Sequence, residues 1–206
     1  KMVLNMLILN LPVEKIGTEM HELLTMANRT TEDVFSLLDN LLKWTKSQIG
    51  NLNVVYQDID AVEVMDSVID VFNMIAGLKK TIREEKPEKL PVCADIDMLK
   101  TVIRNLLSNA IKFSNENSEV LVKMEEQGDM VVVSVKDNGC GIDEEGQKKL
   151  LHTDTHFSTF GTNNEEGSGL GLLLCQDFVV KNGGKLWFTS KQGEGSTFYF
   201  SIPLKK

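Results

Sequence analysis

Three short glycine clusters, DNGCGI (137–142), GSGLGL (167–172) and GEGSTF (193–198), each fall where one structural element gives way to another. Glycine lets the backbone approach a ligand closely, where a Cβ would forbid it. The chain around them reads as α/β. LNVVYQDI (52–59) alternates like a strand, and residues 61–78 have helical spacing in Val62, Met65, Ile69, Phe72 and Ile75. PVCA (91–94) is a short predicted strand. Residues 95–113 are predicted helical, with Leu99, Val102, Ile103, Leu106, Leu107 and Ala110 on one face. EVLVKMEEQGDMVVVSVKD (119–137) reads as a hairpin turned at Gln127-Gly128-Asp129. A short helix is expected after Ile142, a second over 169–181, and a closing hairpin over 185–190 and 196–202. Residues 152–168 carry few aliphatics, and a loop of that length inside a domain is usually functional.

The second cluster carries the clearest chemistry. Gly167, Gly169 and Gly171 end the long loop and open a helix. A helix N-terminus aims unpaired N–H groups outward, so this is a phosphate site. It does not match the dinucleotide fingerprint G-x-G-x-x-G, and it lacks the Lys-Ser/Thr of a P-loop. The first cluster puts Asp137 at a strand end, where an ionised carboxylate can accept from an exocyclic amine such as that of adenine. In NLLSNAIKF (105–113), Asn105, Asn109 and Lys112 share one helical face. Amide oxygens suit Mg²⁺ and a lysine suits a phosphate. Taken singly, each residue could equally be a turn glycine, a cap or a solvated amide.

The first fifty residues have another character. MVLNMLILNL reads as the end of a helix, Pro12 and Gly17 as a turn, and Thr18 as an N-cap. From there a heptad runs through Met20, Ala27, Val34 and Leu41 at one core position, and Leu23, Thr30, Leu37 and Trp44 at the other. Leu24 and Leu38 widen the stripe of this helix of about 30 residues, roughly 45 Å long. Such a stripe pairs with a second copy of itself or packs on the domain that follows. The net charge of −8 disfavours a nucleic-acid or anionic-membrane footprint, while leaving a small anionic ligand open. Cys93, Cys140 and Cys175 form no Cys-x-x-Cys pair and read as reduced thiols in a cytoplasmic setting. The apolar opening is too short to span a bilayer. The start at Lys1 reads as that of a fragment, and anchorage of the parent protein in an inner membrane is left open.

NLLSNAIKF, DNGCGI, FSTF (157–160), GSGLGL and GEGSTF together resemble the asparagine box, phenylalanine box and glycine boxes of sensor histidine kinases. These belong to the superfamily that also holds gyrase, MutL and the heat-shock ATPase chaperones. LLDNLLKWTKSQIG (37–50) resembles the end of the kinase dimerisation hairpin, and the wording is similar to hybrid two-component kinases of Bacteroides-like bacteria. The resemblance implies a Bergerat-type α/β fold, a mixed sheet with helices on one face, over residues 51–206. A partial helical hairpin over 1–50 would precede it. It implies ATP and Mg²⁺ as cofactors. Asn109 would hold Mg²⁺, Asn105 and Lys112 would support the phosphates, and Asp137 would bind the adenine amine. Gly139, Gly141, Ile142 and Thr197 would shape the pocket, with Gly193 and Gly195 as its far wall. Residues 152–168 would form a lid anchored by Phe157 and Phe160. Gly167, Ser168, Gly169, Leu170, Gly171 and Leu172 would meet the phosphates. The implied partners are a second copy, through the hairpin, and a response-regulator receiver domain. The alternatives are a serine protein kinase of the same superfamily or a nucleotide-binding interaction module.

EMHELLTM (19–26) holds a histidine beside an acid. In the family the acceptor histidine lies on the first hairpin helix with a proline five positions on. His21 follows the predicted turn and has Met26 at that position, so the acceptor is expected upstream of Lys1. HTDTH (152–156) reads as solvated lid residues rather than metal ligands. The family's hydrolases carry a glutamate base four residues before the Mg²⁺ asparagine. Asn105 stands there, and an amide cannot take a proton from water at neutral pH.

Overall fold

The computed structural model describes residues 17–48, 53–74, 81–115, 118–150 and 170–205. By contact the chain divides into two units, Lys1–Ile49 and Gly50–Lys206.

The first unit is described through one helix, α1 (Thr18–Gln48). Gly17 precedes it at φ +77°, and its carbonyl accepts the His21 N–H at 3.2 Å. The first helical hydrogen bond thus starts from Gly17, and the cap falls one residue before the predicted Thr18. Thr30, Thr31 and Thr45 return their hydroxyls to carbonyls one turn back, which lets polar residues sit along the helix. Most of the heptad positions stand open, with Met20 50% exposed, Leu23 56% and Val34 50%, while Trp44 is half-buried. The predicted turn at Pro12 and the helix before it lie outside the described residues.

The second unit runs β1 (Gln57–Asp60), α2 (Ala61–Met74), β2 (Thr81–Glu85), β3 (Pro91–Ala94), α3 (Ile96–Phe113), β4 (Glu119–Gln127) and β5 (Met130–Lys136). It continues through α4 (Glu144–Lys149), α5 (Leu170–Lys181), β6 (Leu186–Lys191) and β7 (Gly195–Pro203). Five strands form one sheet in the order β2-β4-β5-β7-β6, and β1 and β3 form a separate antiparallel pair. The large sheet is mixed, because β2 runs parallel to β4 while its other pairings are antiparallel.

Strand alternation sets the core. Val122, Met124, Val133, Val135, Phe198 and Phe200 are buried on the sheet face toward α3 and α5. Val133 stands opposite Phe200 in the ladder and Val135 opposite Phe198, so bulk meets bulk across neighbouring strands. These side chains meet Val102, Ile103, Leu106 and Leu107 of α3 and Leu173, Leu174 and Phe178 of α5, all buried. On the alternate positions Trp187 stacks on Tyr199 at 5.3 Å between ring centroids.

Helix α3 is fixed at both ends, which positions the residues near its C-terminus. Asp95 caps it by accepting from Asp97 N and Met98 N, both at 3.0 Å. The same carboxylate takes the Val55 N–H at 2.9 Å, and Asn182, just after α5, accepts the Asp95 N–H at 2.8 Å. At the other end, Ser114 returns both its N–H and its hydroxyl to Ala110 O.

Two predicted elements differ from those observed. The strand expected over 52–59 is observed over Gln57–Asp60, and residues 53–56 before it pair in no sheet. The apolar residues among these serve as an anchor: Val55 N–H meets Asp95, and the Tyr56 hydroxyl donates to Lys181 O at 2.6 Å. Strand β2, TIREE, was not anticipated. It is a charged edge strand, and such edges hide their pairing from a hydrophobic pattern while guarding against strand addition.

Candidate functional site

The end of β5, the turn between β6 and β7, and the C-terminal end of α3 meet at one place. Asp137 is buried there. Its N–H donates to Ser196 O at 2.9 Å. Its Oδ1 accepts from Gly139 N at 2.9 Å and from Ser196 N at 3.3 Å. These contacts orient the carboxylate, which as an ion only accepts hydrogen bonds. The loop after it is tied on both sides. Asn115 Nδ2 donates to Asn138 O at 3.0 Å, and Gly193 N–H donates to Cys140 O at 2.7 Å.

The glycines here divide into two kinds. A Cβ on Gly139 would lie 1.9 Å from Phe113 O, one on Gly141 would lie 2.0 Å from Lys191 O, and one on Gly195 would lie 2.2 Å from Asp137 O. Gly141 and Gly195 also have φ of +63° and +101°. These three are glycine because backbone meets backbone, a reason the sequence reading did not assign them. Gly171 is of the other kind. Its φ is ordinary, and a Cβ there would only reach van der Waals contact with the Asn105 side chain, 3.7 Å from Oδ1. Gly193, at φ +83°, belongs to neither kind: it has no described atom within 4 Å of such a Cβ and is a turn glycine.

Asn105 faces Gly171 across the gap between α3 and the first turn of α5. Its Nδ2 is buried and, among the described residues, has no hydrogen-bond partner. Such an orphan costs about 1–3 kcal/mol. Beside it lies the Cys175 thiol. Burial pushes that thiol up to about 12, opposed in part by the Asn105 amide and the Arg104 charge. The sulfur is a polarisable neighbour of Asn105 rather than a partner with normal hydrogen-bond geometry. Asn109 lies one turn further along α3 and is half-buried. Lys112 follows, its Nζ 5.4 Å from the centre of the Phe113 ring. Leu170 is buried at the start of α5, and Leu172 and Ile142 are half-buried. Thr197 sits on β7 opposite Lys136 of β5. The structure therefore gathers Asn105 with Gly171, and Asp137 with Gly139, Gly141 and Gly195. Phe157, Phe160, Gly167, Ser168, Gly169 and the expected lid lie outside the described residues, as do His152, Asp154 and His156.

Residues 94–206 match the family of histidine kinase-, DNA gyrase B- and HSP90-like ATPases. The chain belongs to this family. Within it the likeness is to sensor histidine kinases. It is 32% identical over 171 residues to the adaptive-response sensory kinase SasA of Rippkaea orientalis, covering 82% of this chain and 43% of that protein. The chain thus spans less than half the length of that curated relative. It superposes on the solved catalytic domain of histidine kinase ThkA with a TM-score of 0.62 and 31% identity, covering 72% of this chain and 95% of that one. A structure of ThkA in complex with the response regulator TrrA gives a TM-score of 0.72 at 22% identity, over 98% of this chain and 57% of that one, a likeness of fold. The second unit is the ATP-binding catalytic domain of a sensor histidine kinase, and no described helix is long and apolar enough to cross a membrane.

The three thiols of this ATPase domain should separate by accessibility. Cys93 and Cys140 are exposed and Cys175 is buried. Alkylation of the folded protein near pH 8, read by mass spectrometry, should modify the first two. Cys175 should react only after denaturation, because reaction needs the thiolate and access to it.

Proposed function

We propose that this chain binds ATP with Mg²⁺ and positions the γ-phosphoryl for transfer to a histidine other than His21. From there the group passes to an aspartate of a response-regulator receiver domain. The observation that carries the reading is the Asn105 side chain, whose Oδ1 faces Gly171 while its buried Nδ2 has no hydrogen-bond partner among the described residues. The gap lies at a helix N-terminus, where free N–H groups favour an anion. The residues fit the cofactors: Asn109 supplies a hard oxygen for Mg²⁺, Lys112 a cation, and Asp137 an acceptor for the adenine amine. When bound, Mg²⁺ supplies charge neutralisation between the phosphates. Gly139, Gly141, Ile142 and Thr197 enclose the base, and Gly171 with Leu170 and Leu172 borders the phosphates. Gly167, Ser168, Gly169, Phe157 and Phe160 belong to the proposed lid.

The amide at Asn105 leaves no base to activate water there, which favours transfer over hydrolysis. The likeness to the sensory kinase SasA supports the kinase reading, and the solved ThkA–TrrA complex supports the partner. The exposed heptad of α1 supports pairing with a second copy. His21 lies in the first turn of α1 and donates its N–H to Gly17 O.

Incubation with γ-labelled ATP tests the reading. The chain and its His21→Ala variant should bind ATP·Mg²⁺ equally by calorimetry and take up no acid-labile label. The longer parent protein should take it up. Label on His21 would overturn the assignment of the acceptor, and absence of ATP binding would overturn the whole reading.

A further inference from the structure

Ile142 ends the loop that carries the base-binding residues, and two side chains from different elements hold both of its backbone groups. Ser190 Oγ, on β6, accepts the Ile142 N–H at 2.9 Å. Gln147 Nε2, on α4, donates to Ile142 O at 2.7 Å and also to Ser190 O at 3.1 Å. The Ser190 hydroxyl further meets Ser196 Oγ at 2.9 Å and Gly195 O at 3.1 Å. Ser196 in turn gives its N–H to Asp137 Oδ1. One short network therefore joins Ile142 at one end of the base loop to Asp137 at the other.

We propose that Ser190 and Gln147 are positioning residues of the nucleotide site: they hold Ile142 and, through Ser196, the Asp137 carboxylate, so that the base pocket is assembled before nucleotide arrives. This rests on the reading of Asp137–Ile142 as the base-binding loop. Ordering a loop residue costs backbone entropy, and a loop with two glycines has the most freedom to lose. A loop held in place beforehand spares the ligand that cost. The contacts of Gly139, Gly141 and Gly195 are made by backbone and cannot be removed one at a time. The clasp is made by side chains and can.

The test is titration of ADP and of ATP·Mg²⁺ into the wild-type chain, Ser190→Ala, Ser190→Thr and Gln147→Leu, with thermal unfolding of each. Ser190→Ala and Gln147→Leu should each weaken both nucleotides by the same factor, about ten-fold, because the defect lies at the base and not at the phosphates. Ser190→Thr keeps the hydroxyl and should bind within about two-fold of wild type. Folded variants that bind like wild type would overturn the proposal while leaving the ATP site intact. So would Ser190→Thr failing as badly as Ser190→Ala, or loss of cooperative unfolding in both Ser190→Ala and Gln147→Leu, which would make the clasp a support of the fold alone. Failure of the wild-type chain to bind either nucleotide would instead sink the proposed function.

Discussion

Replacing Gly195 by alanine should destabilise the catalytic domain by about 3–4 kcal/mol, whereas the same change two residues earlier, at Gly193, should cost about 1 kcal/mol. Both positions sit in the left-handed region, with φ of +101° and +83°. There a Cβ costs roughly 1–2 kcal/mol whatever surrounds it. The difference is space. A methyl on Gly195 would sit 2.2 Å from Asp137 O, and that carbonyl belongs to a buried residue tied to Ser196 through its N–H. Forcing a core apart typically adds about 1–3 kcal/mol. Urea unfolding should resolve the pair, and in a thermal scan Gly195→Ala should melt roughly 10 °C lower. Equal losses at the two positions would mean that backbone contact is not what requires Gly195.

Asp137→Asn should weaken ATP binding by about ten- to a hundred-fold, the worth of a charge-assisted hydrogen bond of roughly 1.5–3 kcal/mol. The fold should survive the change. An asparagine can keep its amide oxygen where Oδ1 now accepts from Gly139 N and Ser196 N. That orientation presents an amide NH₂ to the base in place of the second carboxylate oxygen, so a donor faces a donor. Calorimetry should show the lost affinity, and the unfolding midpoint should stay close to that of wild type. Unchanged affinity would remove Asp137 from the site, and an unfolded variant would make it a structural residue.

The hairpin of β4 and β5 was legible because its β-branched runs and its turn residues agree with the observed pairing. Helix α3 was legible for the same reason, its apolar face being the buried one. Val55 and Tyr56 misled because an apolar, β-branched run looks like a strand whether or not a partner strand exists. Here the local bonds go to Asp95 and Lys181. In the site, the residue types of the polar set were visible, yet the reason for each glycine was not. Gly139, Gly141 and Gly195 make room for carbonyls distant in sequence, while Gly171 leaves room beside Asn105, and one letter stands for both. Ser190 and Gln147 carry no mark at all, since a serine in a strand and a glutamine on a short helix are ordinary until the topology brings them to Ile142.

The place of β7 in the sheet bears on how the domain is made. It lies between β5 and β6, pairing Val135 with Phe198 and Trp187 with Tyr199. The last strand of the domain to be synthesised is therefore an inner one. Until it emerges, β5 keeps one edge open and Asp137 lacks Ser196. At ribosomal speeds of about 5–20 residues per second, the stretch from β5 to β7 takes on the order of 3–12 seconds to appear. For that interval the nascent chain displays the Val-rich β5 with a free edge, a template for strand addition by other chains. The closed edge of β5 and the Ser196 contacts of Asp137 arrive together, when β7 is in place.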